Sequence, residues 1–376
     1  MRKKQCGTLA LTIILATLLT ACQTDNTQNE KNNDGNTTET ATKVVTDQLG
    51  REVTIPAEVT EVAMGGILPY FSTWYVATNS TKEIVGMHPN SYNAAKNSIL
   101  ADISPDVLKA KTSYIQNGEI NIEELLKVNP QIYFEISTDE KSIEKLTEAG
   151  IPTIAVKAID AAAAEPLATF NSWLELTGQI TGTNDRINLF LAKGKEVQEE
   201  LDLQLDSIQE EDKPRVLFLH QHSEKNIVVG GSNFFSSQWL KATGAINVAE
   251  DVQGMKEVNM EQIYSWNPDI IYITNFTETQ PIDLLQNQVS GQDWSQVKAV
   301  QDKKVYKIPL GIYRWFPPSG DAPLMLKWLA QNNHPDLFTY DMKEEIKNYY
   351  AEFYEYTLTD EEIERILHPS SDAAMN

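Results

Sequence analysis

The sequence predicts an α/β protein of two doubly wound, Rossmann-like lobes joined by a single long α-helix, with a ligand cleft between the lobes. Three observations predict it. The stretch 184–210, NDRINLFLAKGKEVQEELDLQLDSIQE, sets Ile187, Phe190, Leu191, Val197, Leu201, Leu205 and Ile208 at spacings of three and four, which gives one amphipathic rod. On its two sides the chain repeats itself. Asn121-Ile-Glu-Glu-Leu-Leu-Lys-Val-Asn-Pro130 leads into QIYFEIS, and Asn259-Met-Glu-Gln-Ile-Tyr-Ser-Trp-Asn-Pro268 leads into DIIYITN, at a constant offset of 138 residues. Around both copies β-rich runs alternate with helical spacings, the pattern of parallel sheets whose ligands meet the loops at the strand carboxyl ends.

The 376 residues suit about two domains. Residues 1–21 read as a signal peptide: Arg2, Lys3 and Lys4, then an apolar run from Leu9 to Leu19 too short for a comfortable span, then Leu19-Thr-Ala-Cys22. The segment resembles a bacterial lipoprotein signal, which implies cleavage before Cys22, diacylation of its thiol and a chain held on the extracytoplasmic face of the membrane. Only Cys6 and Cys22 occur, so no thiol is left in the folded part for a disulfide, a metal site or a nucleophile. Residues 22–42 lack large apolar side chains and read as a flexible tether reaching about 25 Å.

The N-terminal lobe is expected over 43–165. VVTDQLGREVTIP is a hairpin, VTEVAMGG a strand ending in two glycines, 68–78 a helix, and EIVGM a strand running into His88 and a polar loop. After the first repeat copy come KSIEKLTEAG, a helix with a Gly stop, and the strand IPTIAV. Connecting helices fill 166–212. The C-terminal lobe with a helical tail is expected over 213–376: RVLFLHQH is a strand, KNIVVGGSNFFSSQWLKATG a strand, glycine turn and helix, and VYKIP a strand delivering GIYRWFPPSG. APLMLKWLA is a closing helix, and Thr359-Asp-Glu-Glu362 is a capping box on a last helix to Leu367.

A net charge of −22, with no basic run interleaved with aromatics, disfavours nucleic acid as a partner. Gly-x-Ser-x-Gly, phosphate-loop and Gly-x-Gly-x-x-Gly signatures are missing, so no catalytic residue is assigned. Loop positions nominate ligand-binding residues: Tyr70, His88, Tyr92 and Glu135 from the first lobe, and His220, His222, Phe234, Asn275, Tyr313, Arg314 and Trp315 from the second. Tyr313-Arg314-Trp315, closed by Pro317-Pro318, suits a rigid wall for a flat or aromatic anion. His220 and His222 are expected to turn their rings to opposite faces, so they share one metal only if the strand has already ended.

The tether, the two lobes and the rod together resemble the substrate-binding proteins of ABC importers, in the class that takes ferric siderophores, haem and cobalamin. The resemblance covers essentially the whole mature chain and implies a monomer without cofactor or chemistry of its own, which hands a metal chelate to a permease dimer. It assigns the glutamate of each Asn-apolar-Glu motif, Glu123 and Glu261, to docking on that permease, since a two-fold symmetric partner presents one basic pocket twice. Either glutamate could instead serve only its helix N-terminus. Capture of a free divalent ion by His88, His220 or His222 with Glu135 stays open as a second reading. A lipid-tethered hydrolase or chelatase and an adhesive lipoprotein stand behind it.

Overall fold

The computed structural model describes residues 41–159 and 165–374. The expected signal, Cys22 and the tether as far as residue 40 lie outside the described residues. Thr42–Thr46 (β1) and Glu52–Pro56 (β2) pair antiparallel, as the β-branched runs require. Asp47 closes their turn: Oδ1 accepts the Leu49 and Arg51 amides, and Oδ2 accepts the Arg51 guanidinium at 2.6 Å and the Ala155 amide at 3.1 Å. That last bond pins the hairpin to the first sheet.

The first lobe follows as Val62–Met64 (β3), Tyr70–Thr78 (α1), Ile84–Met87 (β4), Pro89–Lys96 (α2), Leu100–Ile103 (α3), the short pair Ile115–Gln116 (β5) and Glu119–Ile120 (β6), Ile122–Val128 (α4), Ile132–Ile136 (β7), Glu140–Glu148 (α5) and Thr153–Val156 (β8). Its sheet runs β4-β3-β7-β8 and is wholly parallel. Leu167–Thr181 (α6) leads to the rod, Asn184–Leu205 (α7), with Gly182 left-handed at φ 76° between them. The rod stops at Leu205, one turn short of the apolar spacing, so Ile208 falls outside it. Its 22 residues span about 33 Å. Arg186 ties its first turn to both sides of the molecule, donating to the carbonyls of Val76 at 2.7 Å and Phe353 at 2.8 Å.

The second lobe contains Arg215–His222 (β9), Ile227–Gly230 (β10), Phe235–Ala242 (α8), Ile246–Asn247 (β11), Met255–Val258 (β12), Met260–Trp266 (α9), Ile270–Ile273 (β13), Pro281–Leu285 (α10), Lys298–Gln301 (α11) and Val305–Lys307 (β14). Strands β9, β13 and β14 are parallel, and β11 joins β9 in the same sense. At the other edge β10 runs antiparallel to both β9 and β12, so the sheet is mixed, with a parallel part and an antiparallel edge. The reason is legible in the chain. Only residues 223–226 separate β9 from β10, too few for a crossover and enough for a hairpin.

Ala322–Asn333 (α12), Met342–Phe353 (α13) and Asp360–Leu367 (α14) close the chain. The capping box of Thr359 and Glu362 stands on α14 as read, whereas α13 has no counterpart in the sequence reading. One hydrophobic core runs through both lobes, the rod and this tail, and a smaller cluster covers the outer face of each sheet.

Candidate ligand-binding site at the strand carboxyl ends

On the first sheet the site begins with Glu135 at the end of β7. Its carboxyl is buried against the turn after β3, where Oε1 accepts the amides of Gly66 at 2.7 Å and Ile136 at 2.8 Å. Burial pushes its pKa up to about 7 in spite of those donors. The two glycines make the approach possible: a Cβ on Gly65 would stand 2.2 Å from Glu135 Oε2, and one on Gly66 2.7 Å from Oε1. His88 caps α2, its Nδ1 accepting the Asn90 amide at 3.1 Å, and burial lowers its pKa. Tyr92 is half-buried and donates to the Leu108 carbonyl at 3.2 Å.

Tyr70 does not belong to the site. It is fully buried against Phe134 and Trp173, and its hydroxyl meets Thr177 Oγ1 at 2.9 Å. As the first residue of α1 it turns into the core instead of lying on the preceding loop.

On the second sheet His220 lies in an aromatic box, with ring centroids 4.8 Å from Phe276, 5.4 Å from Phe234 and 5.6 Å from Phe316. Burial drops its pKa to about 4, so the imidazole is neutral, and its Nδ1 has no hydrogen-bond partner. His222 is on the opposite face, as expected, though by a different device. Residues two apart in a regular strand share a face. The register shift between Val228 and Val229, which pairs Ile227 with His222 and Val229 with Leu219, is a bulge that reverses the alternation. His222 therefore packs on Trp294, with Thr279 Oγ1 at 2.9 Å and Gln292 Oε1 at 2.7 Å satisfying both nitrogens.

Arg314 is 1 % exposed. Its Nε donates to the Asn275 carbonyl and Nη2 to the Ala373 carbonyl, both at 2.9 Å, while the guanidinium stands 4.9 Å over Phe276. Nη1 has no partner. Asn275 donates through Nδ2 to the Ile308 carbonyl at 2.8 Å, and its Oδ1 is likewise without a partner. Nearby Lys307 is buried and donates to the carbonyls of Thr277 and Thr279, and burial, then the Arg314 charge, brings its pKa down to about 7.

Of the expected aromatic wall, Tyr313 does stand beside the cation, its ring 5.7 Å from the Arg314 guanidinium, but both Tyr313 and Trp315 are core in the structure. Tyr313 meets Phe71 edge-on at 5.5 Å, and Trp315 donates its indole N–H to Asp321 at 3.1 Å. Residues 313 and 315 turn inward because Asp321 holds the segment between them. Its Oδ2 accepts the Ile312 amide at 2.9 Å, the Trp315 indole and the Tyr350 hydroxyl at 3.1 Å, and Oδ1 accepts the Tyr354 hydroxyl at 2.9 Å. The carboxyl is fully buried without a cation, and burial pushes its pKa up to about 6. Sequence reasoning passed over Asp321, although one acid just before APLMLKWLA was a signal; in the structure it makes no side-chain cap. The structure thus gathers His220, Asn275 and Arg314 around Phe276, which the loop reading did not nominate, with Phe234 beside the His220 ring.

The two repeat copies match down to their caps. Asn121 accepts the Glu124 amide at 3.1 Å and Asn259 the Gln262 amide at 2.9 Å. Asn129 and Asn267 end the helices left-handed, at φ 55° and 42°. Glu123 and Glu261 are exposed, and neither forms an ion pair among the described residues. Among those residues no group of three or more His, Cys, Asp or Glu is placed to hold a metal ion, and no helix is long and apolar enough to cross a membrane.

Comparison with known proteins adds to this geometry. A family model described as a periplasmic binding protein matches residues 74–310, a range that ends just before Arg314. The molybdate-binding protein MolA of Haemophilus influenzae is 24 % identical over 335 residues, 84 % of this chain and 91 % of that protein. A periplasmic solute binding protein of Veillonella parvula has a solved structure with 33 % identity and a TM-score of 0.77, covering 87 % of this chain and 97 % of its own. The Helicobacter pylori CeuE structure with Ni(II) bound, at 22 % identity, is alike in fold, with a TM-score of 0.67 over 86 % of this chain and 99 % of its own.

Proposed function

Because this chain belongs to the periplasmic binding protein family, we propose that its cargo is a compact anionic metal complex, an iron chelate such as a ferric siderophore or haem, held at the strand carboxyl ends of the second lobe. It is an extracytoplasmic solute-binding protein of an ABC importer, and proteins of this family carry ligands rather than cofactors. The observation that carries the proposal is the set of three buried polar atoms without partners: His220 Nδ1, Asn275 Oδ1 and Arg314 Nη1. Folded proteins satisfy nearly all such atoms, because each one left unmade costs about 1–3 kcal/mol. A cargo with an anionic rim meets the free Arg314 N–H, and a neutral imidazole offers a nitrogen to a metal complex with an open position. Phe234 and Phe276, half-buried, supply apolar surface that a chelate uses and a small ion does not.

One observation favours a second reading, a bare tetrahedral oxyanion: the curated relative is a molybdate-binding protein. Binding of a free divalent ion finds less support, since His88 caps a helix and His222 is already bonded through both nitrogens. We assign docking on the permease to Glu123 and Glu261, lipidation to Cys22 and a monomeric state to the chain. Replacement of Cys22 by Ser is expected to release the protein from membranes. Tryptophan fluorescence titration with ferric siderophores, haem, cobalamin, nickel with histidine, molybdate and bare divalent ions tests the cargo. Quenching by a ferric chelate or haem at submicromolar concentration is expected. Quenching by molybdate alone selects the second reading, and quenching by bare divalent ions alone overturns both.

A further inference from the structure

The repeat carries a match beyond the two carboxylates. In α4 and α9 the first, fourth and seventh residues turn toward the sheet: Leu125 and Ile263 are fully buried, with Ile122 and Met260 packed beside them. Residues 123 and 126, and residues 261 and 264, are three apart and stand on another face of each helix. An amphipathic surface helix places polar groups there. This chain places Leu126, 52 % exposed, and Tyr264, 39 % exposed. They are two of the nine large hydrophobic residues that stand exposed among the described residues, and the two that occupy equivalent positions of the repeat.

Single exposed leucines are ordinary. A pair fixed at one repeat position, each a turn beyond an exposed carboxylate, is not scatter. The polar neighbours do not repeat in this way: Glu124 pairs with Lys127 in the first copy, where the second has Gln262 and Ser265. What the copies share on their outer faces is one acid and one apolar side chain. In the second copy the apolar group is also held in place, because the Tyr264 hydroxyl donates to the Asp293 carbonyl at 2.6 Å.

We infer that each lobe docks through a two-part knob, Glu123 with Leu126 and Glu261 with Tyr264, and that the partner is a two-fold symmetric permease offering a basic residue beside an apolar hollow twice. The inference rests on the docking reading of the two glutamates. The division of labour is physical. Exposed charges steer the approach and set register but add little net affinity, whereas an apolar side chain gains by leaving water. A chain of net charge −22 carries many carboxylates that a basic surface could meet. The apolar partner is what singles out these two.

The test places a photo-crosslinking amino acid at 123, 126, 261 or 264 of the full chain in its own cells, with Leu189 and Leu203, exposed on the rod, as controls. Positions 126 and 264 are expected to trap the same peptide of one membrane-spanning subunit, and the controls to trap none. Trapping at 123 and 261 with none at 126 and 264 overturns the inference and leaves the docking reading standing. No trapping at any of the four overturns both. Against the subunit so identified, in nanodiscs, the Leu126→Ser, Tyr264→Ser double variant is expected to bind about tenfold more weakly with cargo affinity unchanged. Equal binding overturns the inference.

Discussion

The two lobes agree where they meet the outside and differ where their strands end. Asn121 and Asn259 cap α4 and α9 through the same residue of each helix, and Asn129 and Asn267 end those helices in the same conformation. At the strand carboxyl ends the likeness stops. The first lobe presents Glu135, whose inner oxygen is fully engaged by backbone amides, and the second presents His220, Asn275 and Arg314, each with an atom unspent. A two-fold symmetric partner of the kind proposed above would favour a duplicated surface, whereas a single asymmetric cargo would favour divergence. Under the docking and cargo assignments proposed above, the duplicated surface serves the first interaction and the divergent strand ends the second.

The largest effect is expected from breaking the shared surface. Glu123→Ala combined with Glu261→Ala should abolish cargo uptake by cells while the fluorescence-measured affinity stays within about twofold. A loss of affinity would place these residues in the fold or at the cargo instead. The next largest tests the divergent edge. Arg314→Met keeps an unbranched apolar stem and removes the guanidinium that stands over Phe276, and it should weaken cargo binding about a hundredfold, the scale of hydrogen bonds to a charged group. Circular dichroism melting checks that the variant folds, because the bonds to the Asn275 and Ala373 carbonyls are lost too.

His220→Phe comes third, at about tenfold in affinity, and its melting curve carries a sign. The folded-state pKa, about 4, lies below the ordinary 6.5, so the unfolded chain binds the proton more readily. Stability contributed by the neutral ring is present above pH 6.5 and is lost as pH falls toward 4. Phenylalanine has nothing to protonate, so the variant should gain on the wild type as the solution is acidified across that window. A constant difference between the two would mean that His220 titrates in the fold as it does in the open chain.

Much of this architecture was legible beforehand. The repeat, the rod, the β1–β2 hairpin and the α14 capping box all rest on local rules, namely periodicity, caps and turn residues, and the structure keeps them with ends shifted by a few residues. The site was legible only as loops. Tyr70, Tyr313 and Trp315 adjoin strand ends, yet each turns inward toward a partner that a loop assignment does not supply: Thr177 for Tyr70, Phe71 for Tyr313, and for Trp315 the Asp321 carboxyl that Tyr350 and Tyr354 hold. The β9 bulge is likewise set by pairing with β10, so separating the faces of His220 and His222 needed the partner strand. Side-chain direction at a strand end is tertiary information, and α13, read past in the acidic tail, supplies part of it.

The smallest effect sharpens the comparison most, because it asks whether the first lobe faces the cargo at all. Glu135 has a folded-state pKa of about 7 against an ordinary 4.5, with burial as the cause and the Gly66 and Ile136 amides opposing it. A raised carboxyl pKa means that the folded chain holds the proton more readily than the open one. Its contribution to stability is fully present below pH 4.5 and is lost as pH rises to 7. Like-charge repulsion makes an anionic cargo prefer the protonated carboxyl, so affinity should fall about threefold to tenfold between pH 6 and pH 8. Glu135→Gln preserves the amide contacts through its own Oε1 and abolishes the titration. Its affinity should match that of the wild type at pH 6 and stay level to pH 8. If the variant keeps the wild-type slope, the proton belongs elsewhere, with Lys307 the next group to test, and the cargo is held by the second lobe alone.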